Sequence, residues 1–274
     1  MKQRLLQCYR QLPWFKGKLR IGKFFFKKYI NQSAPLSFYA HYNIGYKIPN
    51  TLENIGVELL INGIYEKEII DFLNTHVESG DIYFDIGANI GAVGLPVVKA
   101  RQNIRYYGFE ASPTVFEYLQ CNFIENKIDT YELHNYLVHK DDNQSMKFYQ
   151  SALYGKSSLS PTYSDEYVAV NSLSLDRFCE DRDISGIDWM KVDVQGYELF
   201  VFEGMHNLLR NKMVSNILFE FEPWAEEQAG LRIGIAKDYI HSMGYSLFTL
   251  DGQNWEEHKK EKDTMIWAKP NSGK

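Results

Sequence analysis

The sequence predicts an α/β protein on a Rossmann-like, largely parallel sheet, and three observations carry that expectation. Residues 81–91 read DIYFDIGANIG, an alternating apolar strand that stops at Gly87 and opens a helix at Gly91. Strand-like and helix-like segments then alternate as far as residue 243. The chain finishes on two strand-like stretches, residues 245–250 and 264–268, with no helix expected between them. That ending suits an antiparallel hairpin at a sheet edge.

A chain of 274 residues with 45% apolar content can bury the core of one large domain with additions. Cys8, Cys121 and Cys179 lie far apart and no Cys/His ligand spacing exists. Neither a disulfide framework nor a zinc site is expected, and a reducing cytoplasm is the simplest location. No apolar run reaches membrane-spanning length, and no signal-like apolar stretch follows the start. The net charge of −5 is unevenly spread. Residues 1–30 hold nine Lys or Arg and no Asp or Glu, which leaves 21 basic against 35 acidic groups, or −14, elsewhere. Such a negative body argues against a nucleic-acid partner.

Residues 1–30 interleave those cations with Leu5, Leu6, Trp14, Phe15, Leu19, Phe24, Phe25 and Phe26. Two readings fit: a basic amphipathic segment making peripheral contact with an anionic membrane, or a helical arm that packs its rings on the body. Pro13 and Gly17 break a single long helix in either case. Residues 31–50 are expected to be irregular or short strands. Residues 63–77 place Ile64, Ile69, Ile70, Leu73 and Val77 at helical spacing ahead of the central strand. The expected division is a basic, aromatic-rich extension over residues 1–60 and one domain over residues 61–270.

The turn after the central strand has the spacing Asp85-x-Gly87-x-Asn89-x-Gly91. Its glycines let a ligand approach the backbone, and the helix that follows, through Ala100, offers free N–H groups. Asp85 ahead of the turn suits a ligand with positive or hydrogen-donating groups. The spacing is neither the dinucleotide G-x-G-x-x-G nor a P-loop, which disfavours a nicotinamide dehydrogenase. The next strand, residues 105–110, ends in Glu110, where an acid can accept hydrogen bonds from both hydroxyls of a ribose. Ala111-Ser112-Pro113 and a helix over residues 114–126 follow.

Residues 131–138 read as a third strand. Residues 146–150 and 168–175 read as strands inserted into the same sheet around a Ser/Pro-rich loop, residues 155–164. Residues 187–194 (IDWMKVDV) form a buried strand, whose charges need partners or a place at its carboxyl end, where α/β sites lie. Period two sets Lys191, Asp193 and Gln195 on one side, as a catalytic cluster or as a satisfied ion pair. A helix over residues 199–209, a strand over residues 216–222 ending in Glu220 and Glu222, and a helix over residues 230–243 complete the pattern.

Together these residues resemble the FkbM family of class I methyltransferases across residues 63–267. The motifs are Tyr65-Glu66, the run from Asp85 to Gly91, Phe109-Glu110-Ala111-Ser112-Pro113, Ser157-Ser158-Leu159, Ser174-Leu175-Asp176, the run from Lys191 to Glu198, and Glu220. The resemblance implies a seven-stranded sheet of order 3-2-1-4-5-7-6, strand 7 antiparallel, with helices on both faces. It also implies S-adenosylmethionine as methyl donor and O-methylation of a hydroxyl on a sugar, glycan or small natural product. It assigns Glu66, Asp85, Gly87, Asn89, Gly91, Glu110 and Ser112 to the cofactor. Asp193 leads as the group that deprotonates or orients the acceptor, supported by Lys191, Glu198 and Glu220. No spacing demands a metal. One position departs from the family pattern Asp-Val-Glu-Gly: Gln195 stands in place of the Glu, keeping its shape but losing a charge. That departure alone supports an alternative, a cofactor-binding scaffold or regulator of weak activity.

Overall fold

A computed structural model describes residues 2–261 and 264–271. The chain opens with helices α1 (Lys2–Gln11) and α2 (Lys18–Phe25), parted at Pro13 and Gly17 as the sequence predicts. A hairpin, β1 (Leu36–Tyr39) and β2 (Gly45–Ile48), and helix α3 (Asn54–Asn62) follow. Leu6 and Phe26 pack on Val57, Leu60 and Ile61, so both opening helices lie against α3. Residues 36–62 join the main core: Ala40, Ile44, Tyr46, Ile48, Ile55 and Leu59 pack with the central sheet. Asn122 and Asn126 clamp β2 by hydrogen bonds with Lys47 and Gly45 main-chain groups at 2.7–3.1 Å.

Gly63 ends α3 in the left-handed region at φ 76°, so the helix expected from residue 63 begins only at Lys67, as α4 (Lys67–His76). Residues 64–66 become a link that carries Glu66 into the interior. Then come β3 (Ile82–Ile86), α5 (Gly94–Ala100), β4 (Arg105–Phe109), α6 (Pro113–Glu125) and β5 (Tyr131–His134). The helix expected from Gly91 thus starts three residues late. The third strand is also split. Asn135 donates to the Glu110 and Ala111 carbonyls (2.8 and 3.1 Å), ending β5, and residues 137–138 pair elsewhere.

That second partner corrects a larger expectation. β6 (Leu137–Val138), β7 (Ser145–Tyr149) and β8 (Tyr167–Leu173) form their own three-stranded sheet rather than an insertion in the main one. After α7 (Leu175–Glu180), β9 (Trp189–Val192) returns to the main sheet. The expected helix over residues 199–209 is two pieces, α8 (Glu198–Glu203) and α9 (His206–Arg210), broken where Gly204 lies against the His139 backbone. β10 (Ile217–Glu220) stops at Glu220; Glu222 heads α10 (Pro223–Gln228), and α11 (Ile235–Ser242) starts later than expected. The final strands, β11 (Tyr245–Phe248) and β12 (Met265–Pro270), flank a short helix, α12 (Trp255–His258), which the pattern did not reveal.

The seven-stranded sheet runs β11-β12-β10-β9-β3-β4-β5, with β12 antiparallel to both neighbours and the rest parallel. Renumbered within the sheet, this is the order 3-2-1-4-5-7-6 that the resemblance implies. Strand alternation feeds two cores. Tyr83 faces the layer of α4, α5 and α6, while Ile82, Phe84 and Ile86 face the layer of α7, α8, α9 and α11. Among the described residues no helix is long and apolar enough to cross a membrane.

Candidate active site

The strand order reverses between β3 and β9, and the carboxyl ends of two diverging parallel strands leave a crevice there. A cleft of about 980 Å3, counting its open mouth, occupies that place. β3 and β9 pair in register so that Asp85 neighbours Lys191 and both side chains are buried. Gly87 ends β3 at φ 78°, and a Cβ there would enter the carbonyl oxygen of Asp193. The glycine is thus required by the β9 backbone, a demand separate from the ligand approach that the sequence suggested.

Glu110 forms one end of the cleft. Its Oε2 accepts from the Asn89 N–H (2.9 Å) and its Oε1 from the Ser112 N–H (2.8 Å). Burial pushes this carboxyl up to about 7, although the two N–H groups oppose the shift. Each oxygen keeps a lone pair that can accept a hydroxyl hydrogen. Ser112 itself caps α6, its Oγ accepting from the Val115 N–H (3.3 Å) and the Gln150 amide (3.1 Å). Its contribution to the cleft is the N–H that aims Glu110.

The other end gathers charge. Lys191 Nζ donates to Asp193 Oδ2 at 3.0 Å and lies 4.0 Å from Asp85 Oδ1. Burial lowers Lys191, but Asp193, Asp85 and Glu66 more than offset this and hold the ammonium charged. Burial likewise raises Asp193, and Lys191 outweighs it, keeping the carboxylate below its ordinary range. Gln195 Nε2 donates to Asp193 Oδ1 and to Glu220 Oε2, both at 3.2 Å, while its Oε1 accepts from Lys156 at 3.3 Å. The amide therefore bridges two carboxyl groups that would repel, and Glu220, half-buried, is pushed well above the ordinary range by desolvation and then by Asp193. Glu66 completes the group. Burial first, then Asp193, pushes it up to about 7. Its Oε2 and Asp85 Oδ1 are buried with no hydrogen-bond partner among the described residues. Glu66, Asn89 and Gln195 all line the cleft at positive φ (44°, 52° and 57°), a left-handed conformation that costs a non-glycine residue about 1–3 kcal/mol.

Of the residues singled out in sequence, Glu66, Asp85, Gly87, Asn89, Glu110, Lys191 and Asp193 line this one cleft. Gly91 packs against Leu119 and Phe123 instead. Glu198 folds back on its own turn, its Oε1 accepting from the Val194 (3.0 Å) and Gly196 (3.3 Å) N–H groups. Glu220 lies behind Gln195. Lys156, which reaches Gln195, was missed in the sequence, since only its neighbours Ser157 and Ser158 drew notice; Tyr136 and Tyr154 were missed too, and they line the cleft with Tyr65 and Tyr197, which stand in the quoted motifs. A second cleft, about 1180 Å3 with its mouth, is lined by Trp14, Glu58, Lys67, Glu68, Asp251 and Met265 among others. Glu66 lines both.

A seven-stranded sheet of this order, with an acid-lined cleft at its switch point, defines a Rossmann-like class I methyltransferase fold. Residues 85–247 match the methyltransferase FkbM domain over more than half of the chain, and the protein belongs to that family. A hexuronic acid methyltransferase, AglP of Haloferax volcanii, is 27% identical over 146 residues, 53% of this chain and 59% of that protein. The chain thus spans less than two thirds of that relative's length. Among solved structures, a precorrin-6y C5,15-methyltransferase from Geobacter metallireducens is similar at 11% identity and a TM-score of 0.44, covering 76% of this chain and 88% of that one. A TehB-like SAM-dependent methyltransferase from Corynebacterium glutamicum has 12% identity and a TM-score of 0.44, over 78% and 93% of the two chains.

Proposed function

We propose that the protein O-methylates a hydroxyl of a sugar or glycan with S-adenosylmethionine as donor. The observation that carries this reading is that Glu66, an acid with one unpartnered buried oxygen, lines both clefts. Bound in the first cleft, S-adenosylmethionine supplies an electrophilic methyl group on a sulfonium sulfur. The cleft fits it: Glu66, Asp85, Glu110 and Asp193 face one lysine, a balance that suits a cation, and Glu110 retains acceptors for ribose hydroxyls. Asp85, Asn89 and the 87–91 turn hold the methionine end, and the Ser112 N–H keeps Glu110 aimed.

The acceptor enters the second cleft, between Trp14 and Glu66. Trp14 offers a face for a sugar ring, and Glu58, Glu68 and Asp251 offer acceptors for its hydroxyls. A hydroxyl is a weak acid, so its proton needs a base. Glu66, near 7, is ionised often enough at neutral pH and still holds a proton well. Asp193, with both oxygens engaged and its value lowered, orients the hydroxyl instead. This divides the work differently from the sequence expectation, which gave Asp193 the lead and Glu66 to the cofactor. Lys191 fixes Asp193, and Glu198 and Glu220 hold the Gln195 turn. The catalytic unit takes in residues 36–62 as well as the expected 61–270, since Ile55 and Glu58 line the clefts and residues 36–62 share the main core, and the opening segment closes one side of the acceptor cleft through Trp14. A sugar acceptor accords with the hexuronic acid relative.

Labelled-methyl transfer to a panel of glycans and uronic acids tests the reading. The expected product is an alkali-stable methyl ether on one hydroxyl. An alkali-labile ester would move the reaction to a carboxylate oxygen, and donor binding without transfer to any acceptor would leave the scaffold alternative in place.

A further inference from the structure

The opening helices are anchored by cations turned inward. Arg10 Nε donates to the Leu60 carbonyl at 2.7 Å and its Nη1 to the Tyr39 carbonyl at 3.0 Å. Lys18 Nζ spends all three donors on the carbonyls of Arg10 (2.9 Å), Leu12 (2.6 Å) and Asn62 (3.0 Å). With Leu6 and Phe26 packed on α3, α1 and α2 form a fixed platform. Their buried edges face α3, and the rest of their surface is open to solvent. There, α1 presents Leu5 and, just past its end, Leu12. α2 presents Ile21, Phe24 and Phe25 at three- and four-residue spacing, one stripe of a helix. Phe24 and Phe25 are 78% and 69% exposed, and Phe15 in the connecting bend is exposed too. A solvated helix face ordinarily carries polar side chains.

Charge selects the occupant. Arg4, Lys16, Arg20, Lys27 and Lys28 are exposed among these apolar groups, and no acid occurs in residues 1–30. A second copy of the same face would oppose cation to cation. The rest of the chain, at −14, is repelled by an anionic surface, so this is the face such a surface would attract. We propose that α1, α2 and the bend between them dock the protein on an anionic lipid bilayer, with Leu5, Phe15, Ile21, Phe24 and Phe25 entering the headgroup region and the exposed cations pairing with lipid phosphates.

Co-sedimentation of the full chain with phosphatidylcholine vesicles, plain or with about one third phosphatidylglycerol, tests this. Binding is expected on the anionic vesicles only, weakened by salt, and reduced about tenfold or more by Phe24→Glu with Phe25→Glu at an unchanged melting temperature. If that pair melts early, Arg20→Glu with Lys27→Glu takes its place with the same expected loss. Absent binding, equal binding to both vesicle types, or variants that bind as well as the parent would overturn the proposal. So would a dimer in sedimentation velocity that the phenylalanine variant dissolves, since the face would then belong to a second copy.

Discussion

At the Glu110 end of the cleft, one carboxyl is fixed by two main-chain N–H groups from positions two and 21 residues away. At the Glu66 end, the carboxyl groups are arranged by side chains: Lys191 and Gln195 on Asp193, Gln195 on Glu220, Lys156 on Gln195. Main-chain donors follow from the fold itself, so the first end tolerates change around it. The second depends on four separate segments, each of which can vary while the sheet persists. Handling of a shared cofactor fits the first kind of construction, and handling of a variable acceptor fits the second.

The largest expected effect breaks the side-chain end. Lys191→Met removes the one cation between Asp85, which is buried, and Asp193, which is half-buried, and leaves them with only the neutral donors Tyr106 and Gln195, at a cost of about 3 kcal/mol or more in denaturant unfolding. A carboxyl raised in the folded state weakens the fold as pH rises, so the loss should be greater at pH 8 than at pH 5. Next, Gly87→Ala combines a left-handed φ with a collision at the Asp193 carbonyl, on the order of 3 kcal/mol, and should also part the two strand ends that shape the cleft.

Glu110→Gln sharpens the contrast. It keeps one acceptor, loses the charge and turns an NH2 toward one of the two main-chain N–H groups, so calorimetry should find donor affinity lowered by at least roughly 1.5–3 kcal/mol, about ten- to a hundredfold, with turnover at saturating donor less affected than affinity. The smallest effect is expected from Gln195→Glu, which restores the usual family residue. Both amide hydrogen bonds are lost and a third carboxyl joins Asp193 and Glu220, partly offset by Lys156. Its folded-state value is raised, so stability should lie nearest the parent below about pH 4.5, where the protonated carboxyl can still donate one of the two bonds, and fall by about 1 kcal/mol more as pH rises to 8. A loss that grows on acidification would contradict the arrangement described here.

The central strand, the glycine turn, Glu110 and the carboxyl-end cluster on β9 were legible because each rests on short-range pattern. A period of two, a left-handed turn and an acid at a strand end need no knowledge of distant segments. What escaped depends on contact at a distance. Glu66 was named for the cofactor by the resemblance, but the pattern put it inside a helix over residues 63–77; that it lies in a link lining both clefts depends on Gly63 ending α3. Residues 137–173 read as part of one sheet because strand pattern names no partner. Lys156 carries no local signature, and Trp14 showed only as one ring of the basic opening segment; each matters through a residue or cleft far along the chain. Glu198 was seen, but its sequence position could not tell a catalytic acid from one that ties its own turn.

The claim on which the account turns is that Glu66 takes the acceptor's proton. The pH dependence of kcat/KM for methyl transfer, measured on the parent and on Glu66→Gln, tests it most directly. The parent should gain activity as pH rises through about 7, as a base that must be ionised requires. The variant should lose about a hundred- to ten-thousandfold and show no rise near that pH, with donor affinity within a few-fold of the parent. A variant that keeps both the rate and the inflection would remove Glu66 from the reaction and return the role to Asp193.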